Sequence, residues 1–293
     1  MKEYCLGMYE KAMPLHLTWE EKLKKCKEFG FDWVEFSVDE TDEKLARLDW
    51  TKEQRDDLKA IMNSEGVYCR TMCLSGHRRY PLGSENPEKG KKSMEIMKKA
   101  IDLAYDLGIR IIQVAGYDTV DEESNEKTKN NFISNIEIAT KWAASKGVIL
   151  AFETMRNDFM NTVEKAMNIV DLVNSPYLQI YPDVANLVYE LDGTETTVSE
   201  DLMKGKGHIV AVHVKETNKN HERRIPFGSG NDYTQYVKHM KVLKDMGVRM
   251  FMAEFWDKGG DYEAICTHAA NFLRERLDIA FDDSKDEIKN ILK

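Results

Sequence analysis

The sequence predicts a single-domain α/β chain closed into a (β/α)8, or TIM, barrel, and three observations predict it. The length, 293 residues, is close to the usual size of one such barrel. Eight short apolar segments alternate with longer amphipathic ones, as strands and helices do in α/β folds. A glycine follows a helical run and precedes an apolar run at Gly30, Gly66, Gly108, Gly147 and Gly247, the place where a helix commonly ends.

In chain order, the first expected strand is 4–8 (YCLGM). A helix follows over 18–29, with Thr18 as its N-cap and Glu20 and Glu21 in the first turn, where they favour the positive end of the helix dipole. The remaining strands are expected at 32–38 (DWVEFSV), 67–74 (VYCRTMCL), 110–115 (RIIQVA), 148–153 (VILAFE), 178–183 (LQIYPD), 209–214 (IVAVHV) and 249–254 (RMFMAE). Several are almost unbroken apolar runs, as parallel strands covered on both faces require. Strand count alone also fits an open doubly wound sheet. The absence of G-x-G-x-x-G after the first strand removes the commonest reason to prefer one. No linker or repeat divides the chain, so residues 1–293 are expected to form one domain. The barrel should cover about 4–275, with a helical tail over about 276–293 ending in the acidic stretch DSKDEIKNILK.

Composition narrows the function. The formal net charge of −9 opposes a protein built to grip nucleic acid, which works by neutralising phosphates. A small phosphorylated ligand needs only a few local basic residues. The five cysteines, Cys5, Cys26, Cys69, Cys73 and Cys266, are odd in number and scattered, which suits a reduced, cytoplasmic chain. Cys69 and Cys73 are expected on one face of the third strand as packing residues. The N-terminal segment lacks a signal-peptide core and no run of 18 apolar residues occurs, so no membrane partner is expected.

Four ionisable residues close four successive strands: Glu153 in AFET, Asp183 in YPDV, His213 in VHVK and Glu254 in MAEF. In a barrel those ends share one mouth, where active sites are built. Each alone has an ordinary alternative, a solvated loop carboxylate or a hydrogen-bonded structural histidine. Together they make an oxygen-rich set with one nitrogen, suited to one divalent cation (Mn, Mg, Co or Zn) and free of the thiolates that would force zinc. Basic residues for a phosphate occur in two places. His77, Arg78 and Arg79 follow the third strand. Lys215 and Arg224 follow the seventh, with PFGSG (226–230) resembling an anion-binding loop. The sequence does not choose between them. Tyr9, Glu35, Asn186 and Trp256 are further candidates for the mouth.

The segments LGMYEKAMP, DWVEFSVDETDEKLARLDW, MCLSGHRRYPLGS, QVAGYD, YPDVANL, GHIVAVHVKET and PFGSG resemble those of the L-ribulose-5-phosphate 3-epimerases (L-xylulose-5-phosphate 3-epimerases, formerly hexulose-6-phosphate isomerases), within a superfamily that includes xylose isomerase and endonuclease IV. The resemblance runs from about residue 4 to about residue 275. It implies a TIM barrel, a ketopentose phosphate as the small-molecule partner, a homo-oligomer (a dimer) and a place in pentose and L-ascorbate catabolism. It also implies that Glu153, Asp183, His213 and Glu254 hold the metal. Glu153 and Glu254 are then the catalytic pair that inverts C3 through a cis-enediolate. His77, Arg78, Arg79, Lys215, Arg224 and Asn186 are the candidates for holding substrate. The related free-sugar 3-epimerases carry a histidine three residues after the ligand aspartate, where this chain has Asn186. Two rivals are an aldose–ketose isomerase of a sugar phosphate and an endonuclease IV-like nuclease. The second needs several more histidines than this chain's seven can place at strand ends.

Overall fold

A computed structural model describes residues 3–282. The eight strands are β1 (Cys5–Tyr9), β2 (Trp33–Val38), β3 (Tyr68–Leu74), β4 (Ile111–Ala115), β5 (Ile149–Glu153), β6 (Leu178–Ile180), β7 (Val212–Val214) and β8 (Met250–Ala253). Every ladder is parallel, in the order β6-β5-β4-β3-β2-β1-β8-β7. Two parallel bridges, Ile180 with Ile209 and Asp183 with His213, join β6 to β7 and close the ring. The sixth and seventh strands are shorter than the sequence predicts, three residues each. Pro182 cannot donate to a ladder, so the seam is carried by these bridges and by His213 N donating to Pro182 O at 2.9 Å.

Helices α1 (Trp19–Phe29), α2 (Asp42–Leu45), α3 (Lys52–Glu65), α4 (Pro87–Leu107), α5 (Glu126–Lys146), α6 (Val163–Val173), α7 (Val184–Leu191), α8 (Val198–Lys204), α9 (Tyr236–Asp245) and α10 (Tyr262–Phe281) surround the strands. Thr18 caps α1 as expected and forms a reciprocal capping box with Glu21. The five glycines all lie in left-handed backbone, Gly247 one residue beyond the cap of α9. Helix α10 runs unbroken past residue 275 to Phe281. Of the tail expected over 276–293, residues 283–293 lie outside the described residues.

Two apolar layers hold the fold. The outer one packs strand faces against helices. The inner one fills the barrel with Trp33, Ile111, Ala151, Tyr181, Ala211 and Met252. Trp33 explains Gly7: a Cβ there would stand 2.2 Å from the indole. Cys69 and Cys73 do not share a face. The β2–β3 register slips between Val34 and Glu35, leaving Arg70 as a bulged residue, and the bulge reverses the alternation. Cys69 therefore packs outward and Cys73 inward. All five cysteines are free thiols.

Candidate metal centre and its cavity

Parallel strands bring all their C-terminal ends to one face, and the four expected residues converge there. Glu153, Asp183, His213 and Glu254 are buried, and one donor atom from each lies within 4.8 Å of the others. The backbone aims each one. Asp183 is the N-cap of α7: its Oδ1 accepts from Asn186 N at 2.8 Å, which leaves Oδ2 for the cluster. Thr154, just beyond β5, accepts from Asp183 N at 3.0 Å and so ties the ends of β5 and β6 together. The second oxygen of Glu153 is engaged by the amide of Gln113, a polar residue facing inward from β4.

His213 is clamped by carboxylates on both ring nitrogens. Its Nδ1 lies 3.1 Å from Glu153 Oε1 and 3.4 Å from Glu254 Oε2, while Nε2 lies 3.1 Å from Glu35 Oε2. Burial works against a charged ring, but Glu35 and Glu153 outweigh it and push the His213 pKa up to about 10. Glu35 is fully buried beneath the cluster and is fixed by Thr71 Oγ1 at 2.7 Å and Tyr181 OH at 3.1 Å. It belongs under the site, not at the mouth, and holds the imidazole from behind, as carboxylates do behind metal-ligating histidines.

The donor set fits a divalent cation. Asp183 Oδ2 and Glu254 Oε2 are buried and, among the described residues, are met only by the Lys215 ammonium and the His213 ring, so both are placed to bind positive charge. Lys215 Nζ makes charge contacts there, 2.6 Å from Asp183 Oδ2, 3.3 Å from Glu153 Oε1, and against Glu254 Oε2. Burial opposes ionised carboxylates, yet Lys215 and His213 more than offset it and hold Glu153 below the ordinary range.

Above the cluster opens a cavity of about 300 Å³, walled by Tyr9, Trp256 and Cys73 among others. Its basic residues are Lys11, Arg78, Arg156, Lys215, Arg223 and Arg224. Arg78, Lys215 and Arg224 are expected there from the sequence; Lys11, Arg156 and Arg223 are not. Arg156 stacks on Tyr189 at 4.0 Å, and its buried Nε has no hydrogen-bond partner. Burial, and then the neighbouring Arg223 charge, lower its pKa. Arg224 lies over Trp256 at 4.6 Å. Asn186 lines the cavity, with its amide NH2 engaged by Thr154 O at 2.9 Å.

Three expected anion contacts lie elsewhere. His77 is buried, bonds Ser93 O at 3.1 Å, and has its pKa lowered by burial to about 4, so it is neutral and turned away. Arg79 pairs with Asp42 at 2.6 Å outside the cavity. The PFGSG loop already holds an anion, the Glu216 carboxylate, to which Gly228 N donates at 2.6 Å. A Cβ at Gly230 would stand 2.1 Å from Thr217 O and 2.5 Å from Glu216 Oε1, so glycine is required to wrap the loop this closely. Lys215 is drawn into the carboxylates.

Comparison with known proteins agrees with the fold. The profile of the xylose isomerase-like TIM barrel family matches residues 23–276. Among solved structures, D-psicose 3-epimerase from Clostridium cellulolyticum H10 superposes with a TM-score of 0.76 at 17% identity, covering 93% of this chain and 99% of that one. The 3-keto-D-glucoside 4-epimerase YcjR of E. coli gives 0.75 at 16% identity, over 93% and 99%. At those identities the likeness is one of fold, a TIM barrel. The L-ribulose-5-phosphate 3-epimerase UlaE of Shigella boydii serotype 18 is 40% identical over 278 residues, 94% of this chain and 96% of the relative. The same protein of Escherichia coli O157:H7 matches equally well. The chain belongs to the xylose isomerase-like TIM barrel family, within its L-ribulose-5-phosphate 3-epimerase group.

Proposed function

We propose that this protein is a divalent-cation-dependent carbohydrate epimerase that interconverts L-ribulose 5-phosphate and L-xylulose 5-phosphate by inversion at C3. The observation that carries the reading is the buried set Glu153, Asp183, His213 and Glu254 at the mouth, in a chain 40% identical to such epimerases over 94% of its length. The cation is Mn²⁺, Mg²⁺, Co²⁺ or Zn²⁺, a choice the oxygen-rich donor set leaves open.

The C3 proton lies α to the C2 carbonyl and is still far too weakly acidic to leave unaided. When bound, the cation supplies Lewis-acid stabilisation of the negative charge that develops on the sugar oxygens. Inversion needs one base to take the proton and a second acid to return it on the other face. Glu153 closes β5 and Glu254 follows β8, with Asp183 and His213 entering from the two strands between them. The two glutamates thus approach the sugar from separated sides of the mouth and are assigned the proton transfers. Asp183 holds position through its cap bond, and His213 through Glu35.

Arg156, Arg223, Arg224 and Arg78 are assigned to the phosphate. The first three are cations gathered with no carboxylate ion pair among the described residues, and Arg156 keeps a buried donor unpaired. Such a group of like charges is stabilised by an incoming anion. The test is incubation of the enzyme with L-ribulose 5-phosphate in D2O, followed by NMR. Deuterium at C3 together with L-xylulose 5-phosphate is expected. Deuterium at C1 or C2 with an aldose product would establish an aldose–ketose isomerase instead.

A further inference from the structure

Lys215 is not simply one more basic residue of the cavity. Its Nζ stands 2.6 Å from Asp183 Oδ2 and 3.3 Å from Glu153 Oε1, and also touches Glu254 Oε2. These are three of the four groups read above as cation ligands, and the ammonium fills the space between them. A divalent ion held by the same oxygens and this ammonium cannot share that space: at such separations in a low-dielectric site their repulsion is severe. The main chain of Lys215 is fixed by β7 just before it and by Tyr236 OH, which donates to Lys215 O at 2.8 Å. The side chain is held by its charge contacts, and it also lines the cavity, where the Trp256 ring lies 5.7 Å from Nζ.

We propose that Lys215 is an exchangeable counter-ion of the carboxylate cluster. Its ammonium holds the Glu153, Asp183 and Glu254 oxygens together until a divalent cation takes the same space, and it then turns into the cavity beside Trp256. Lys215 is thus a positioning residue: it keeps three buried carboxylates assembled, at the cost of competing with the cation they bind. The inference rests on the reading of the four residues as ligands.

The test uses the full chain stripped with a chelator and titrated with Mn²⁺. The Lys215→Met variant is expected to bind Mn²⁺ about tenfold more tightly than wild type, within the ordinary range of coupling between two sites. The stripped variant is expected to melt below stripped wild type, with the gap closing at saturating Mn²⁺. A second measurement needs no variant. Acylation of lysines by an amine-reactive ester, read by mass spectrometry on wild type, should rise several-fold at Lys215 on addition of Mn²⁺ and stay level at Lys59, which lies away from this cavity. Equal or weaker Mn²⁺ binding by Lys215→Met overturns the proposal, as does Lys215 labelling that ignores Mn²⁺. If wild type binds neither Mn²⁺ nor Zn²⁺, the ligand reading itself falls, an outcome distinct from equal binding by the two proteins.

Discussion

Replacing Glu10 by glutamine would remove the one negative charge from a group of three buried cations. Glu10 follows β1 and is fully buried. Arg47 grips it with both terminal nitrogens, Nη1 at 2.6 Å from Oε2 and Nη2 at 2.8 Å from Oε1. Lys44 Nζ lies 2.7 Å and Lys22 Nζ 3.3 Å from Oε1, and Ser37 N donates to Oε2 at 2.9 Å. Arg47 is in turn stacked among Trp19, Phe36 and Trp50, so it cannot swing out to water without breaking that packing. Glutamine keeps the shape but loses the charge, and its NH2 must face a cation. Breaking a buried ion pair from one side typically costs about 3–5 kcal/mol. That corresponds to a fall in Tm of roughly 5–8 °C for a domain of this size. The assay is urea unfolding of wild type and Glu10→Gln across pH. Burial acts to raise the Glu10 pKa, but Arg47, Lys22 and Lys44 more than offset it and hold it far below the ordinary carboxylate range. Its stabilisation is therefore fully present above the unfolded-state pKa of about 4.3 and fades as pH falls toward the folded value. The gap between the two proteins should narrow in acid. A loss below about 1 kcal/mol at neutral pH, the scale of an exposed pair, would refute the reasoning.

Further outcomes follow from the site. Glu153→Gln and Glu254→Gln should each slow exchange of the C3 proton with solvent by about 10²–10⁴-fold, read by NMR in D2O; near-normal exchange in either removes that residue from the proton transfers. Arg156→Ala should raise KM for the phosphorylated sugar by roughly 10–100-fold more than for the free sugar, the worth of one charged hydrogen-bonding group, whereas Arg79→Ala should leave both unchanged. A preserved KM ratio in Arg156→Ala would move the phosphate elsewhere. Glu35→Gln should weaken divalent-cation binding by about 10–100-fold, measured by titration without substrate, because His213 loses the carboxylate behind it. Unchanged affinity would show that the imidazole is held by the ring contact with Tyr181 instead.

The strands were legible because parallel strands buried on both faces leave unbroken apolar runs, and their ends named the four clustered residues with no further information. Facing was less legible. Cys69 and Cys73 read as one face until the bulge at Arg70 reversed the alternation, and a bulge leaves no periodic trace. Gln113 carries a signal in the sequence, a single amide inside the apolar run IIQVA that can be buried only if something polar meets it. The loops were least legible. Arg156 and Arg223 reach the cavity and His77 does not, because the path of the chain beyond each strand decides it. After β7 that path includes left-handed backbone at His221, Arg224, Asn231, Asp232 and Gln235, none of them glycine. Hydrophobic periodicity says nothing about such conformations. PFGSG was legible as an anion-binding loop, but not that its anion would be Glu216 from the same chain.

The closure of the barrel and the assembly of the site are one event. β6 and β7 share no continuous ladder, and the seam between them rests on two bridges, one of which pairs Asp183 with His213. Two of the four clustered residues are therefore register partners, and a slip of that seam would separate them as well as open the barrel. The seam is held by what surrounds it. Thr154 binds the Asp183 amide, the N-cap bond of α7 fixes the Asp183 carboxylate, and Glu35 grips His213 from the opposite side of the barrel. A cation drawing Asp183 Oδ2 and His213 together would stabilise the weakest joint of the ring. Its binding should therefore add to fold stability as well as to chemistry, by an amount that grows with the logarithm of its concentration over its Kd.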